Sequence, residues 1–404
     1  MSEITFIHTA DLHLDSPFSG LKHIPGGLME RLRESTFTAF EKVVNAAIFH
    51  NVDFMLIAGD LYDGENRSIR AQVRFRREME RLQAHDIPVY IIHGNHDHLS
   101  GSWVKLTFPP NVHVFSSENE VKRLEKQDGT KIHIYGFSYP KRHVYERMAE
   151  KYIKLEGADF HIGMLHGNLD GHSEHGQYAP FTIQELIDKD LDYWALGHIH
   201  KRQELYQFPA ILYPGNIQGR HRKETGAKGC CLVKLSSNHI EKSFIETSDI
   251  IWDSRKIEIR EQISFDSLAA ICQENIFAAG REGKGILLEL HVDLNIDAED
   301  IMAGADELLE VLQEEDQGEE DFIWLYALKI TGSGEELYDS SNPFIRELVN
   351  MAASEELDTM SALGTLFKHP QAKKYLDDFD EEEMRELKEQ SAKMVLNLLK
   401  GGIE

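Results

Sequence analysis

The sequence predicts an α/β sandwich with its active groups on loops at strand ends, and three observations predict it. Short β-branched and aromatic runs alternate with helical patterns up to about residue 250. The runs end in small or polar residues. Asp, His and Asn gather at those ends in short motifs.

The strand runs are Ile4–Thr9, Asp53–Ala58, Val89–His93, Ile132–Phe137, His161–Leu165, Tyr193–Leu196, Ile211–Tyr213 and Cys231–Leu235. Helical patterns fall between the early ones, most clearly at Leu28–His50 and Ser68–His85. The second is an Arg-rich amphipathic segment that stops before Pro88, since the residue preceding proline avoids the helical region. Arg70, Arg74, Arg77 and Arg81 form a row at helical spacing and read as its solvated exterior.

Beyond Asp253 the rhythm changes to strand Lys256–Arg260, helix Phe265–Ala278, strand Gly285–Leu294, helix Ala298–Leu312 and strand Phe322–Ile330, a small α+β module. TGSGEELYDSSNP supplies turn-formers, and only helices are expected from Phe344 onward. In the last of these, Met384, Leu387, Met394, Val395 and Leu398 share one stripe. Three domains follow: 1–250, 251–335 and 340–404.

A length of 404 residues fits that division. Three cysteines, two of them adjacent at Cys230 and Cys231, form no paired framework and suit a reducing compartment. No apolar stretch approaches membrane-span length, so the default expectation is a cytoplasmic protein without a membrane partner. The net charge of -26 is unevenly spread. Residues 1–250 hold 29 Lys+Arg against 33 Asp+Glu, a net of -4, and residues 251–404 hold 14 against 36, a net of -22. Whole-chain acidity therefore does not veto an anionic substrate in the first part, where bound divalent cations would offset the small deficit.

The chemistry sits at the strand ends. Asp11 and His13 in TADLH are two apart, so in extended backbone both side chains leave one face and reach one cation. The next run ends AGD at Asp60, whose two oxygens suit a bridge between metals, with Gly59 allowing close approach. HGNHD offers Asn95 as an oxygen ligand and His96 as an acid; MLHG ends at His166; LGHIH repeats the two-apart spacing with His198 and His200. A histidine beside a strand is usually a hydrogen-bonded structural residue, and GD is a common turn. No single motif implies a metal; their succession does. His172 and His175 lie in the polar loop GNLDGHSEHGQY and read as solvated loop residues. Lys201, Arg202, Arg220, Arg222, Lys223 and Lys228 make a basic region that reads either as solvated surface or as a phosphate contact.

The motifs TADLHLD, AGDLYD, HGNHD, MLHG and LGHIH resemble those of the calcineurin-like metallophosphoesterase superfamily, and within it the SbcD-type DNA repair exonucleases. The resemblance is strong over the first 250 residues and extends beyond them only in layout. GDLYDGE and GNHD depart from the GDYVDRG and GNHE of phosphoprotein phosphatases, which argues against that branch. The resemblance implies a metallophosphoesterase-type two-sheet sandwich flanked by helices, an α+β capping module and C-terminal helices. It implies that Asp11, His13, Asp60 and His200 hold one divalent metal and Asp60, Asn95, His166 and His198 a second. It further implies that His96 acts on the scissile phosphate and that Asp97 orients its ring. Oxygen and nitrogen donors without thiolate suit Mn²⁺, Fe or Zn²⁺, and the resemblance favours Mn²⁺.

Three function classes compete. A DNA exonuclease or endonuclease subunit, working with an SbcC-like coiled-coil ATPase, accounts for the C-terminal module and helices. A small-substrate phosphoesterase, such as a nucleotidase or cyclic-nucleotide phosphodiesterase, needs them less. A non-catalytic binding subunit would be free to lose ligands that this chain keeps. The sequence admits a homodimer without indicating one.

Overall fold

The apolar runs expected as strands form two six-stranded sheets. The structure, a computed structural model, describes residues 2–18, 20–21, 24–64, 68–101, 104, 106–171, 178–294, 304–314, 321–332, 346–347, 350–351, 359–367, 384–385, 387–388, 391–392 and 395. His172, His175, Met394 and Leu398 lie outside the described residues.

The first sheet has the order β12-β11-β1-β2-β3-β4. Its strands are β1 (Glu3–Thr9), β2 (Phe54–Ala58), β3 (Val89–Ile92), β4 (Val112–Val114), β11 (Gly229–Ser236) and β12 (His239–Glu246). The second has the order β5-β6-β7-β8-β10-β9. It is built from β5 (Glu120–Glu125), β6 (Lys131–Gly136), β7 (Phe160–His166), β8 (Tyr193–Gly197), β9 (Gln203–Tyr206) and β10 (Ala210–Tyr213). β1, β2, β3 and β4 run parallel, as do β6, β7, β8 and β10. Central parallel strands are covered on both faces and become apolar throughout; FMLIA in β2 is buried at every residue.

Alternation divides these side chains between layers. Phe6, Phe54, Leu56 and Ile92 meet Ile134, Ile162, Met164 and Tyr193 from the opposite sheet. Phe6 stacks on Phe54 at 4.9 Å and meets the Tyr193 ring edge-on at 5.1 Å. Ile7, Met55, Ile57 and Ile91 point the other way, onto helices α1 (Gly26–Phe49) and α2 (Ile69–Gln83). Ser68 caps α2, its Oγ accepting from Ala71 N at 2.9 Å. On the outer face of the second sheet, Trp194, Leu196 and Phe137 pack with Leu186 of α3 (Ile183–Ile187).

A third sheet orders β13 (Ile250–Ile259), β14 (Gly285–Leu294) and β15 (Ile323–Gly332). Helices α4 (Phe265–Phe277), α5 (Ala305–Glu314) and α6 (Thr359–Phe367), with a 3₁₀ turn at Met148–Lys151, complete the described elements. β13 begins six residues before the strand expected at Lys256, because Ile250 and Trp252 are buried with Leu32, Leu287 and Phe322. The described residues of Met1–Arg255, Ala269–Leu290 and Leu309–Ala327 make one compact unit; those of Lys256–Leu268, His291–Leu308 and Leu328 onward make another. In the second unit, Lys256 Nζ lies 3.3 Å from Asp293 Oδ2, and Thr331 Oγ1 donates to Val292 O at 3.4 Å.

Candidate metal centre

Parallel strands of both sheets deliver their C-terminal ends to one place. Asp11 and His13 follow β1, Asp60 follows β2, and Asn95 and His96 follow β3. From the second sheet come His166, which ends β7, and His198 and His200, which follow β8.

The reason Asp11 and His13 converge differs from the one their spacing gave. Neither is in extended backbone: Asp11 has φ 51° and His13 φ 43°, both in the left-handed region. Asp60 (φ 49°) and His198 (φ 102°) share that property. Left-handed backbone costs a non-glycine residue roughly 1–2 kcal/mol and persists only where surroundings over-determine it. Here they do. Asp11 N donates to Gly59 O at 3.1 Å and His13 N to Asp60 O at 3.0 Å, which pins the β1 loop to the β2 loop. His198 N donates to both Asp11 carboxylate oxygens at 3.1 Å, pinning the β8 loop to the first.

Glycines make the approach close enough. A Cβ on Gly59, itself at φ +98°, would stand 2.2 Å from His166 Nδ1. One on Gly94 would stand 2.3 Å from Asp60 Oδ1 and 2.6 Å from His166 Nε2.

Ligand-type atoms cluster accordingly. The donor atoms of Asp11, His13 and His200 lie within 4.8 Å of one another, and so do those of Asp11, Asp60 and His166. His166 Nε2 is 3.3 Å from Asp60 Oδ2 and 3.0 Å from Asn95 Oδ1, and His198 Nδ1 is 3.2 Å from the same Asn95 oxygen. His13 Nε2 faces His200 Nε2 at 3.1 Å.

These contacts test whether the residues fit a cation. His166 donates its Nδ1 proton to Ala58 O at 2.9 Å, and His200 Nδ1 bonds Glu224 Oε1. Each ring therefore turns a lone pair inward, toward other acceptors. Acceptors this close repel unless positive charge stands among them. Charge balance says the same: burial opposes charge on His166, yet Asp60 and Asp11 outweigh it and lift the ring to about 9. A proton is one form of that charge and a divalent metal another. Burial lifts Asp11 to about 6 and, aided by Arg220, pushes His13 down to about 3. Asp60 is also opposed by burial, but His166 and His96 hold it well below the usual carboxylate range. The donor set fits a metal.

His96 stands at the edge of the cluster, its N–H donating to Asp60 Oδ1 at 2.9 Å and its ring 5.0 Å from that of His13. Burial opposes charge on it, but Asp60 and Asp63 together raise its pKa. The carboxylate beside its ring is Asp63, with Oδ1 3.4 Å from Nδ1. Asp97, expected to orient His96, accepts from the His93 ring at Nδ1 (2.8 Å) and from the backbone Gly94 N at 2.8 Å and Leu61 N at 3.0 Å. Those bonds shape the loop that carries His96, while the Asp63 carboxylate stands beside its ring.

Asp63 also lies 3.4 Å from His13 Nδ1 and accepts from Arg220 Nη1 at 3.3 Å. Burial would raise its pKa, but the His13 and His96 rings and Arg220 hold it well below the ordinary range. Arg220 thus reaches the centre, its Nη1 also donating to Ser16 Oγ at 2.8 Å, while Arg202 lies over the Phe244 ring at 4.1 Å. Glu224 is buried, accepting from His200 and, at 2.6 Å, from Arg220 N. Neither Asp63 nor Glu224 stands among the metal-type motif residues of the sequence. The only signal for Asp63 was its place three residues after Asp60.

The profile of the calcineurin-like phosphoesterase family matches residues 4–202. The chain is 39% identical to an uncharacterized metallophosphoesterase, YhaO of Bacillus subtilis, over 99% of both chains. It is 24% identical to the DNA double-strand break repair protein Mre11 of Thermoplasma acidophilum, over 67% of this chain and 74% of that one. It is 27% identical to the Mre11 of Sulfurisphaera tokodaii, over 59% and 61%. With its acceptor-rich cluster at the parallel strand ends of two sheets, and a relative matched from end to end, the chain belongs to the calcineurin-like metallophosphoesterase family.

Proposed function

We propose that this phosphoesterase is a dinuclear metal-dependent phosphodiesterase that cleaves DNA, the nuclease subunit of a repair assembly with an SbcC-like coiled-coil ATPase. The observation that carries the reading is the buried Asp60 carboxylate, with His166 Nε2 at 3.3 Å and His13 Nε2 at 3.9 Å on its Oδ2. In this reading Asp60 joins Asp11, His13 and His200 around one metal, and Asn95, His166 and His198 around the other. Bound divalent cations, with Mn²⁺ favoured over Fe or Zn²⁺, supply Lewis-acid polarisation of a phosphate oxygen and a water nucleophile at neutral pH.

The protein's own groups do the rest. His96, raised by two carboxylates, carries the proton that the leaving oxygen needs, and Asp63 holds its Nδ1 so that Nε2 is the donor. Arg220 tempers the negative charge of Asp63. Glu224 keeps the His200 proton on Nδ1.

DNA is favoured because the aligned Mre11 relatives are double-strand break repair proteins and because residues 1–250, which hold the site, carry a net charge of only -4. The net charge of -22 on residues 251–404 suits a protein partner better than DNA. Buried free cysteines at 230, 231 and 272 suit the cytoplasm, and among the described residues no helix is long and apolar enough to cross a membrane.

Metal-free protein supplied with Mn²⁺ and offered linear DNA, cyclic nucleotides and bis(p-nitrophenyl) phosphate tests the reading. DNA and the aryl diester should both be cleaved, and chelator should abolish both. Cleavage of cyclic nucleotides without DNA would favour a small-substrate enzyme. Deleting residues 340–404 should leave aryl diester cleavage and abolish co-purification with the ATPase; retained co-purification overturns the docking assignment.

A further inference from the structure

A ladder of rings leads from the metal centre to the surface. Tyr178 lies 4.8 Å from the His198 ring, His143 stacks on Tyr178 at 5.4 Å and 26°, and Tyr145 stacks beside His143 at 5.8 Å and 6°. Each step falls within the range of interacting aromatic pairs. The inner end is a ligand-type histidine; the outer end, Tyr145, is 63% exposed.

The backbone builds this platform deliberately. His143 and Tyr145 are exposed while Val144 between them is buried with Leu165 and Ala179, the alternation of an extended segment. Ala179 N, at φ 37°, donates to Val144 O at 2.6 Å, which fixes the outer rings against the residue following Tyr178. Beyond their contacts with one another and with Tyr178, the rings leave apolar faces to water, which costs free energy until something covers them.

The surrounding charge indicates what would cover them. Lys141 and Arg142 are exposed immediately before the platform. The acids nearby are engaged: Glu146 by Lys151, and Asp170 and Glu185 by Arg147. Aromatic faces beside cations, on a path to a phosphodiesterase centre, match a strand whose bases stack while its phosphates follow the positive groups.

We infer that His143 and Tyr145 form a base-stacking platform for single-stranded DNA next to the scissile phosphate. This rests on the nuclease reading and narrows it: the strand enters unpaired, because a base within a duplex presents no free face to a ring.

The test compares wild type with Tyr145→Ala, His143→Ala and Tyr145→Phe, using a fluorescent oligothymidine and an abasic strand of equal length. Binding is measured by anisotropy in chelator, and cleavage with Mn²⁺. Either alanine variant should weaken oligothymidine binding about 5- to 100-fold and raise KM in parallel. Tyr145→Phe should restore binding, and the abasic strand should be bound equally by all four proteins. Equal losses for both strands, or no loss for either, overturn the platform even if wild type cleaves DNA. If wild type binds oligothymidine in a Tyr145-dependent way but does not cleave it, the platform stands and the nuclease reading falls. If wild type neither binds nor cleaves it, both fall.

Discussion

Asp63 Oδ1 stands 3.4 Å from His96 Nδ1 and the same distance from His13 Nδ1. One partly exposed carboxylate therefore serves both the His96 ring and a ligand-type ring. We predict that His96→Ala lowers DNA cleavage about 10²–10⁴-fold with metal content retained. Asp63→Asn should cost about 10–100-fold, the usual effect of losing a group that orients another. Because Asp63 also holds the His13 ring, the double variant should fall below His96→Ala in turnover and carry less metal. Turnover with metal analysis on the same samples decides; a double variant no worse than His96→Ala would show that Asp63 works through His96 alone.

Glu224 fixes which nitrogen of His200 faces inward, and its second oxygen is occupied by Arg220 N. Substitution by Gln turns an N–H₂ toward one of these donors. Glu224→Gln should therefore weaken Mn²⁺ binding about 10–100-fold by titration calorimetry, with an unchanged far-ultraviolet spectrum. Wild-type affinity in this variant would mean that His200 is oriented by other contacts.

Gly94→Ala adds one methyl group between Asp60 and His166, where no space exists. Overpacking of this kind costs about 1–3 kcal/mol. The expected result is a folded protein with a lowered melting temperature and little bound metal. Full metal occupancy in the alanine variant would contradict the closeness of that approach.

The pH dependence of stability has a traceable contributor outside the candidate metal centre. Arg147 grips both oxygens of Glu185 and holds its carboxyl down at about 2, below its ordinary 4.5. A depressed carboxyl contributes stability that is fully present above its unfolded value and lost as pH falls through the folded one. Both side chains are partly exposed, so the effect is modest, about 0–1 kcal/mol. Glu185→Gln should melt a degree or two lower than wild type at pH 7, with the gap closing as pH drops from 4.5 toward 2. A gap that widens in acid reverses the sign and refutes the assignment.

The inner strands of both sheets are legible in the sequence, and β4, β5, β9 and β12, the four sheet edges, are not. That is a physical pattern. Inner strands are covered on two faces and leave apolar runs such as FMLIA, whereas β9 reads QELY and β5 EVKRLE because their outer sides meet water. The motif residues were legible for a similar reason, since Asp, His and Asn interrupt apolar runs where few other residues would. The left-handed turns at Asp11, His13, Asp60 and His198 were not legible, because Asp and His are enriched at positive φ yet adopt it in only a small share of their occurrences. Glu224 was invisible because a lone glutamate in a basic loop looks like solvated surface until His200 is placed against it.

His8 sits wholly buried on β1, with Nδ1 2.9 Å from Tyr193 Oη and Nε2 3.0 Å from Leu196 O, both on β8 of the opposite sheet. Burial pushes the ring down to about 3, so it stays neutral and bridges the layers by hydrogen bonds alone. The clustered ligand-type side chains straddle the same seam, Asp11, His13, Asp60 and Asn95 from one layer and His166, His198 and His200 from the other. Any cation they share would be a rivet through the sandwich. The two layers could then slide or part only by releasing it, and mass action would tie the melting temperature to free metal. At one hundred times the dissociation constant the gain is about 2.7 kcal/mol.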